Sequence, residues 1–353
     1  CVEVSFMNLK RDTYAIVDLD HLKYNVELAH NEFKRPLMAV IKADAYGHGY
    51  KEVASFLKDI DYVEMFAVAT LPEAIELREL GIDKGILILG AIPTSKKDID
   101  LAIKYDISLT MVSVDYLKLL ENLIDEGQTL KVHIKLDTGM HRIGLMSKDE
   151  LSTLLELIDP NKFDVEGIFT HFATADGDDE AFEKQRNLFY EMIGNCKFKY
   201  IHCCNSAAMT YHHDEKSNMG RLGITMYGCS PNGEEETKFK QVMSLYTKVA
   251  MIKKIPAGDK VGYGLTYTAK EDEYIATLPI GYADGLIRKN QGRKVYINGK
   301  YYEIVGRVCM DQMMVRVDKN VKIGDQVEIF GEHISLESMA TVSYTHLRAH
   351  ETS

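Results

Sequence analysis

A lysine at the end of a short apolar stretch is the first residue of the chain that could do covalent chemistry. Residues 40–49 read VIKADAYGHG, so Lys42 follows apolar residues and precedes a polar, glycine-containing turn. A charged amine is costly at the end of a buried strand unless it is paired or used covalently, for example as a Schiff base. A lysine that only extends its ammonium group towards solvent is the alternative interpretation.

Four further segments place polar residues directly after apolar stretches. They are residues 135–144 (KLDTGMHRIG), 170–176 (THFATAD), 205–208 (NSAA) and 221–224 (RLGI). A lone histidine such as His171 is more often a hydrogen-bonded structural residue than a catalytic one. Ser206 or Gly223, taken alone, would be ordinary turn residues, and an ion pair with Asp137 or another acid is one interpretation of Lys135. The residue types by themselves therefore leave structural roles open.

The elements that must position these residues alternate between short apolar runs and amphipathic segments. The runs are continuous and rich in valine and isoleucine, as expected of strands buried on both faces, and residues 72–80, 114–126 and 181–193 predict intervening helices. Eight alternations over about 200 residues fit an α/β fold, a (β/α)8 TIM barrel, with active groups at the C-terminal ends of its strands. A doubly wound open sheet is the alternative, but no G-x-G-x-x-G opens the first helix. The predicted strands are 37–42, 65–69, 85–89, 108–112, 130–136, 165–170, 200–203 and 223–227.

The pattern changes after about residue 232 to short segments separated by glycine-containing turns. It predicts a C-terminal mostly-β domain over residues 233–341, following a barrel over residues 8–232, and the Asn298-Gly299 pair is a hairpin signal. We expect residues 1–6 and 342–353 to be non-native flanking sequence and the C-terminal domain to be truncated, because the tail shows no apolar periodicity. The predicted β segments are 242–255, 273–279, 294–297, 300–305, 313–317 and 326–329.

The overall charge excludes several classes of partner. The 353 residues carry a formal net charge of −11 at pH 7, which argues against nucleic acid and against an anionic membrane surface. No stretch is apolar enough to span a bilayer, and the N-terminus lacks the pattern of a signal peptide. We therefore expect a soluble cytoplasmic protein with no nucleic-acid or membrane partner.

The cysteines show no disulfide framework, but one group of them suggests a metal at first sight. His202, Cys203 and Cys204 are consecutive, and Cys196 lies close in sequence. Consecutive residues on a strand point to opposite faces, so these side chains are not expected to converge on one ion. Buried thiols are the better interpretation, and we predict no metal.

The segment at residues 40–49 closely resembles the pyridoxal-phosphate signature of alanine racemases, and the resemblance extends from about Met7 to Met339. It implies pyridoxal 5'-phosphate as the cofactor and L- and D-alanine as substrates. By this match Lys42 binds the cofactor covalently and acts as one of two bases, while Arg221 pairs with the ring nitrogen. A guanidinium can only donate, so that nitrogen should stay unprotonated, which we interpret as selectivity for proton exchange at Cα. The cofactor-binding residues implied are Lys42, Tyr46, Ser206, Arg221, Gly223 and Ile224, the last two through backbone N–H groups.

The same resemblance supplies the second base and the substrate contacts. Racemisation removes a proton from one face of Cα and returns it on the other, so two groups must flank the substrate. In residues 261–267 (VGYGLTY), Tyr263 matches the second base, which family members receive from the partner subunit, and we expect a homodimer with shared active sites. His171, backed by Arg221, is expected to favour the ionised form of this tyrosine. The substrate-binding residues implied are Arg142 and the backbone N–H of Met310, supported by Lys135, carried as a carbamate, and by Asp311.

One feature of the family pattern is missing. Family members end with a segment carrying a basic residue and a phosphate-binding tyrosine, and nothing after Met339 matches it. An inactive truncated family member is therefore one alternative, and a racemase of serine or another small amino acid is a second. A non-catalytic cofactor-binding barrel would lack the segments at 261–264 and 307–311, and basic amino-acid decarboxylases pair the ring nitrogen with an acid. The leading prediction is an alanine racemase that supplies D-alanine for peptidoglycan synthesis.

Overall fold

The computed structural model describes residues 11–343 except Thr94, His213, Glu235 and Glu236. These residues form two compact units, which we call the barrel unit (residues 22–232) and the β unit (residues 11–21 and 233–343). The first strand, β1 (Tyr14–Val17), lies in the β unit because it pairs antiparallel with residues 243–246. Our predicted barrel, which began at residue 8, therefore included a strand that belongs to the other unit. The predicted flank at residues 1–6 lies outside the described residues, as do residues 344–353 of the flank predicted at 342–353, whereas Val342 and Ser343 end the helix Leu336–Ser343.

Eight parallel strands build the barrel unit. They pair in two groups of four, in the orders β4-β3-β2-β9 and β5-β6-β7-β8, and a parallel bridge between Leu87 and Ser108 joins the groups on one side. On the other side the Arg221 N–H donates to the Cys204 carbonyl at 2.9 Å, which closes the ring. The (β/α)8 prediction is confirmed. The strands are β2 (Leu37–Val40), β3 (Val63–Val68), β4 (Gly85–Ile88), β5 (Leu109–Met111), β6 (Leu130–Lys135), β7 (Phe163–Phe169), β8 (Tyr200–Ile201) and β9 (Gly220–Leu222).

Helices follow the strands, and several begin with the caps that their sequences specify. Thr70 and Glu73 form a reciprocal capping box at the start of α4, where a proline occupies the first turn, and Ser95 caps α5 in the same way. The described helices are α1 (Leu19–Phe33), α2 (Lys42–Gly47), α3 (Tyr50–Leu57), α4 (Leu71–Glu79), α5 (Lys96–Lys104), α6 (Val114–Glu121), α7 (Lys148–Leu157), α8 (Asp179–Ile193), α9 (Ser206–Tyr211) and α10 (Leu336–Ser343). Among the residues described, none of these helices has both the length and the hydropathy needed to cross a bilayer.

The eighth strand differs from the prediction in its position. We expected it over residues 223–227, but β9 ends at Leu222, where its pairing with β2 stops, and a 3-10 helix occupies Ile224–Tyr227. The Gly223 N–H turns away from the sheet to the side chain of Ser206 at 3.0 Å. A short apolar run does not by itself distinguish a strand from a buried helical turn, which explains the error.

The β unit contains a five-stranded sheet, a three-stranded sheet and a two-stranded ribbon, in the orders β1-β10-β18-β15-β16, β11-β14-β17 and β12-β13. The predicted hairpin joins β15 to β16, with Asn298 and Gly299 at φ 49° and 84°. The predicted C-terminal β-rich domain is confirmed. The remaining strands are β10 (Met243–Lys248), β11 (Met251–Ile255), β12 (Lys260–Val261), β13 (Tyr267–Thr268), β14 (Glu273–Leu278), β15 (Lys294–Ile297), β16 (Lys300–Glu303), β17 (Met313–Val317) and β18 (Gln326–Phe330).

Candidate active site

Lys42 lies at the C-terminal end of β2, where the chain enters an unusual turn. Residues 43–46 of α2 all have φ between 51° and 56°, so this turn is left-handed. For residues with a side chain this conformation costs about 1–2 kcal/mol each. Two hydrogen bonds offset part of that cost. Oε1 of Glu73 accepts the Ala43 N–H at 2.7 Å, and Oδ1 of Asp44 accepts the Tyr50 N–H at 2.8 Å. Such strain persists where neighbouring groups over-determine it, and it is often found at functional sites.

A small cradle for an anion lies beside this turn. The buried Ser206 Oγ accepts hydrogen bonds from the Gly223 N–H at 3.0 Å and from the Thr225 hydroxyl at 3.1 Å. A Cβ atom at Gly223 would stand 3.2 Å from the Tyr46 hydroxyl and 3.7 Å from Ser206 Oγ, so the missing side chain keeps this space open. Ile224 begins the 3-10 helix, whose first N–H groups have no partner within the helix. Hydroxyl and backbone N–H donors therefore converge as a phosphate requires.

Arg221 on β9 is buried and held by carbonyl groups. Its Nη1 donates to the carbonyl of His202, and its Nη2 donates to the carbonyl of Thr170 at 2.8 Å and to Nδ1 of His171 at 3.4 Å. The remaining donor, Nε–H, makes no hydrogen bond within the described residues. Burial lowers the pKa of Arg221 to about 10, so the guanidinium stays charged at neutral pH. Arg221 thus keeps one donor for a ligand.

The cationic residues predicted from sequence gather around His171. Burial lowers the pKa of His171 well below its usual value, and the charges of Arg221, Arg142, Lys135 and Lys42 lower it further. His171 is therefore neutral, and because Arg221 donates to its Nδ1, the proton of the ring lies on Nε2. The barrel unit brings these five residues into one electrostatic cluster.

Lys135 is the member of the cluster whose pKa falls into the neutral range. It is buried on β6, and burial together with repulsion from Arg221 and Arg142 lowers its pKa to about 7. Its Nζ donates to the Leu136 carbonyl at 2.7 Å, and within the described part of the chain no ion pair joins it to Asp137. Asp137 instead accepts two backbone N–H groups of the following loop, at 3.0 Å each. The ion-pair interpretation of Lys135 is therefore wrong.

Arg142 lies in that loop and is exposed. The ion pairs and hydrogen bonds among the described residues do not include its guanidinium. An exposed cation without a carboxylate partner, next to other cations, is suited to bind an anionic group of a small molecule.

The candidate second base, Tyr263, lies in the β unit and is 68% exposed. It starts a 3-10 helix between two glycines, and a Cβ at Gly264 (φ 73°) would approach the Arg307 guanidinium to 3.3 Å. At Gly306, a Cβ would lie 2.7 Å from the Val261 carbonyl oxygen. The two glycine-containing segments therefore pack closely against each other, and Tyr263 projects from a constrained loop.

Met310 and Asp311 lie on the same unit and are exposed. The carbonyls of Cys309 and Met310 accept the N–H groups of Tyr282 and Ala283 at 3.0 Å and 2.9 Å. The Met310 N–H makes no backbone hydrogen bond among the described residues, so it is available as a donor. The contact of this N–H with a substrate carboxylate stays a prediction.

Sequence reasoning missed three polar residues in the barrel interior, namely His133, His202 and Glu166. His133 precedes Lys135 by two residues on β6, so both side chains lie on the same face of the strand, and both are buried. That spacing was the available signal. His202 had been considered only as a possible metal ligand.

The thiols of Cys203 and Cys204 lie 3.9 Å apart and close to Asp214, although we expected adjacent residues to diverge. The expectation was wrong because β8 ends at Ile201, so strand alternation does not govern the next residues. The Asp214 carboxylate already accepts the Tyr190 hydroxyl at 2.6 Å and the Cys203 thiol at 3.5 Å. Three ligands are also fewer than the four of a structural zinc site, so the cluster is satisfied as a hydrogen-bonded group.

Comparison with known proteins gives a consistent result over nearly the whole chain. A sequence model of the alanine racemase N-terminal domain matches residues 17–231, and one of the C-terminal domain matches residues 242–349. The alanine racemase of Ligilactobacillus salivarius is 43% identical over 334 residues, which cover 92% of this chain and 89% of that protein. The crystal structure of alanine racemase from E. faecalis superposes with a TM-score of 0.92 at 37% identity, covering 97% of this chain and 95% of that one. An alanine racemase from Bacillus anthracis with bound L-Ala-P gives a TM-score of 0.88 at 38% identity, covering 97% and 92%.

Proposed function

The chain belongs to the alanine racemase family and is an amino-acid racemase, and from this premise we propose that it interconverts L-alanine and D-alanine with pyridoxal 5'-phosphate bound in the barrel unit. The anion cradle at Gly223 supports the cofactor assignment, because a side chain at this position would fill the space beside the Tyr46 and Ser206 hydroxyls. The unused Nε–H of Arg221 offers a donor for a ring nitrogen, and Lys42 offers a primary amine. When bound, this cofactor withdraws electrons from Cα of an attached amino acid and makes its C–H bond acidic.

The roles of the barrel residues follow from their hydrogen bonds and charges. Lys42 removes or returns the Cα proton on one face of the substrate. Arg221 can only donate, so it holds the ring nitrogen as an acceptor, which limits electron withdrawal and favours return of the proton over side reactions. Arg142 and the Met310 N–H bind the substrate carboxylate.

The second base must come from the opposite face of the substrate, and we assign it to Tyr263 of a second copy of the chain. Tyr263, Leu265 and Met310 expose large side chains on the β unit, as expected of a surface that another subunit covers. The Nε2–H of neutral His171 can donate to the phenolate oxygen and stabilise it. The functional protein is accordingly a homodimer with shared active sites.

Lys135 is proposed to carry a carbamate. With its pKa lowered to about 7, its amine is largely neutral at physiological pH and can attack carbon dioxide, forming an N–C bond and releasing a proton. The product is an anion, which would pair with the guanidinium of Arg142 and replace repulsion by attraction. Labelled carbon dioxide should give one protected carbamate signal that is absent from Lys135→Met.

The resemblance also implies a place in metabolism. We propose that the enzyme acts in the cytoplasm and supplies D-alanine for peptidoglycan synthesis. The similarity to alanine racemases favours alanine over serine or another small amino acid, and the ratio of kcat/KM for alanine and serine tests this choice.

The observation that carries the proposal is the convergence of Lys42, the Gly223 cradle and the Arg221 donor at one end of the barrel. Cofactor-loaded protein should convert L-alanine to D-alanine, and Lys42→Ala should lose both this activity and the visible absorbance of the lysine-bound cofactor. An unchanged absorbance in Lys42→Ala, or a fully loaded protein that does not racemise alanine, would refute it.

A further inference from the structure

A line of polar side chains crosses the barrel interior from Arg221 to Glu166. Nη1 of Arg221 lies 3.2 Å from Nδ1 of His202, and Nε2 of His202 lies 2.8 Å from Nδ1 of His133. Nε2 of His133 lies 3.7 Å from Oε2 of Glu166, which accepts the Ser108 hydroxyl at 2.7 Å. Both histidines are fully buried.

The chemistry of the donors fixes the proton on each ring. Arg221 has only N–H groups, so Nδ1 of His202 must accept and the proton of His202 must lie on Nε2. That proton is donated to Nδ1 of His133, whose own proton must then lie on Nε2, facing the carboxylate of Glu166. Each link therefore points in one direction, from Arg221 towards His202 and from His202 towards His133 and Glu166.

The ionisation states agree with this direction. Burial lowers the pKa of His133, and burial with the nearby charges lowers that of His202 well below its usual value, so both rings are neutral. Burial would raise the pKa of Glu166, but contacts with His133 and Ser108 outweigh it and lower the pKa to about 2. Nε2 of His133 has no hydrogen-bond partner within the described residues, which leaves the carboxylate as its electrostatic counterpart.

The backbone is shaped to hold these rings. The register between β6 and β7 pairs Val132 with Val165 and then His133 with Gly167, so Glu166 is the extra residue of a β-bulge. A Cβ at Gly167 would lie 2.5 Å from Nδ1 of His133, so only glycine leaves room for the ring. The bulge at Glu166 and the missing side chain at Gly167 both make room for the polar line. The backbone is therefore adapted to these side chains, and their contacts are not incidental.

We propose that Glu166, His133 and His202 are positioning residues that lock the guanidinium of Arg221 in the orientation in which its Nε–H faces the cofactor ring. The proposal rests on the proposed function for the identity of the ligand that Arg221 faces. Loss of the acceptor at Nδ1 of His202 would leave Nη1 held by one backbone carbonyl and free the guanidinium to tilt. The effect should fall on the chemical step rather than on substrate binding.

Tautomers provide a test that does not depend on activity. Protein with 15N-labelled histidine gives separate NMR signals for protonated and unprotonated ring nitrogens, and His133→Phe and His202→Phe assign them. Both rings should show the neutral Nε2–H form from pH 6 to pH 9. A Nδ1–H form or a cationic ring at either position would overturn the proposal.

Kinetics of the cofactor-loaded enzyme test the consequence. His202→Phe should lower kcat for L-alanine about 10- to 100-fold, as expected for loss of a hydrogen bond to a charged group, with KM changed less than about threefold. In His202→Asn the amide oxygen replaces Nδ1 as the acceptor, so this variant should recover most of kcat. The control His212→Phe replaces an imidazole whose ring centroid lies 3.7 Å from that of Phe182 and removes its hydrogen bond to the Ala175 carbonyl, and it should leave kcat unchanged.

The outcomes separate the two proposals. An unsubstituted protein that binds the cofactor but does not racemise refutes the proposed function, while the tautomers still decide the orientation of the polar line. A folded, loaded His202→Phe with full kcat, or a His202→Asn no better than it, refutes the positioning role. If His202→Phe does not fold, the tautomers of the unsubstituted protein and the kinetics of His202→Asn decide.

Discussion

Replacement of Lys135 by methionine should change how the free energy of unfolding depends on pH. The lysine is buried, and its pKa falls from an ordinary 10.5 to about 7, which corresponds to roughly 5 kcal/mol at about 1.36 kcal/mol per pKa unit. The unfolded state binds more protons than the folded state between these two values, so this residue makes the protein more stable as pH rises from 7 to 10.5. Below pH 7 Lys135 is protonated in both the folded and the unfolded state, so the full cost of burying its charged ammonium group lowers the stability.

The magnitude can be worked out for two convenient conditions. Between pH 7 and pH 9 deprotonation of Lys135 should raise the free energy of unfolding of the parent protein by about 2 kcal/mol, and Lys135→Met should lack this rise. Urea unfolding of the cofactor-free protein in carbon-dioxide-free buffer measures the difference, because comparison of variant and parent at each pH cancels the contributions of other groups. The same measurement on Lys131→Met, a change on the same strand, provides the control. Parallel pH profiles for Lys135→Met and its parent would refute the electrostatic reasoning.

Three further substitutions test other parts of the site. Gly223→Ala places a Cβ 3.2 Å from the Tyr46 hydroxyl and should raise the Kd for pyridoxal 5'-phosphate at least about tenfold in an absorbance titration. Gly177→Ala is the control, because a Cβ there meets no atom within 4 Å, and it should leave the Kd unchanged. Equal affinities of the two variants would contradict the proposed anion cradle. Tyr263→Phe should slow solvent-deuterium exchange selectively for one alanine enantiomer, and equal slowing for both would count against a two-base mechanism. Glu73→Ala should destabilise the protein by about 1–3 kcal/mol in urea unfolding and lower kcat, because the N–H of Ala43 in the left-handed turn and those of Ala69 and Thr70 before α4 lose their acceptor. Glu79→Ala, on the exposed end of the same helix, should have little effect on either.

The parallel strands of the barrel were predictable because burial on both faces leaves a strong signal. Residues 130–136 form continuous pairings almost as predicted, and the Asn298-Gly299 turn fixes its hairpin by backbone conformation alone. The eighth strand was misplaced because its apolar run is shared between three residues of strand and a 3-10 helix. Residues 14–17 were assigned to the barrel because their pairing with residues 243–246 joins positions more than 220 residues apart, which a local sequence pattern does not report.

The left-handed turn after Lys42 is a different case. Ala43 and Ala45 have no local preference for positive φ, so nothing in their identity indicates that turn. It depends on Glu73, a residue 30 positions away that accepts the Ala43 N–H. The polar line through His133 and His202 was missed for a similar reason. Each histidine is ordinary alone, and the line becomes visible only when β6 and the residue that follows β8 bring Nδ1 of His133 to 2.8 Å from Nε2 of His202.

The cluster at the end of the barrel selects its ligands by charge. Three basic side chains repel one another there, although the net charge of the chain is −11. They are those of Arg221, Arg142 and Lys135. At neutral pH the repulsion is relieved first at Lys135, because its pKa falls to about 7 while that of Arg221 stays at about 10. The guanidinium groups of Arg221 and Arg142 then remain charged, and the Asp137 carboxylate is already engaged by backbone N–H groups. An anion balances this charge, whether it is a carbamate on Lys135 or part of a ligand. A ligand that brings a phosphate, a phenolate oxygen and a carboxylate therefore matches the site better than a neutral molecule of the same shape.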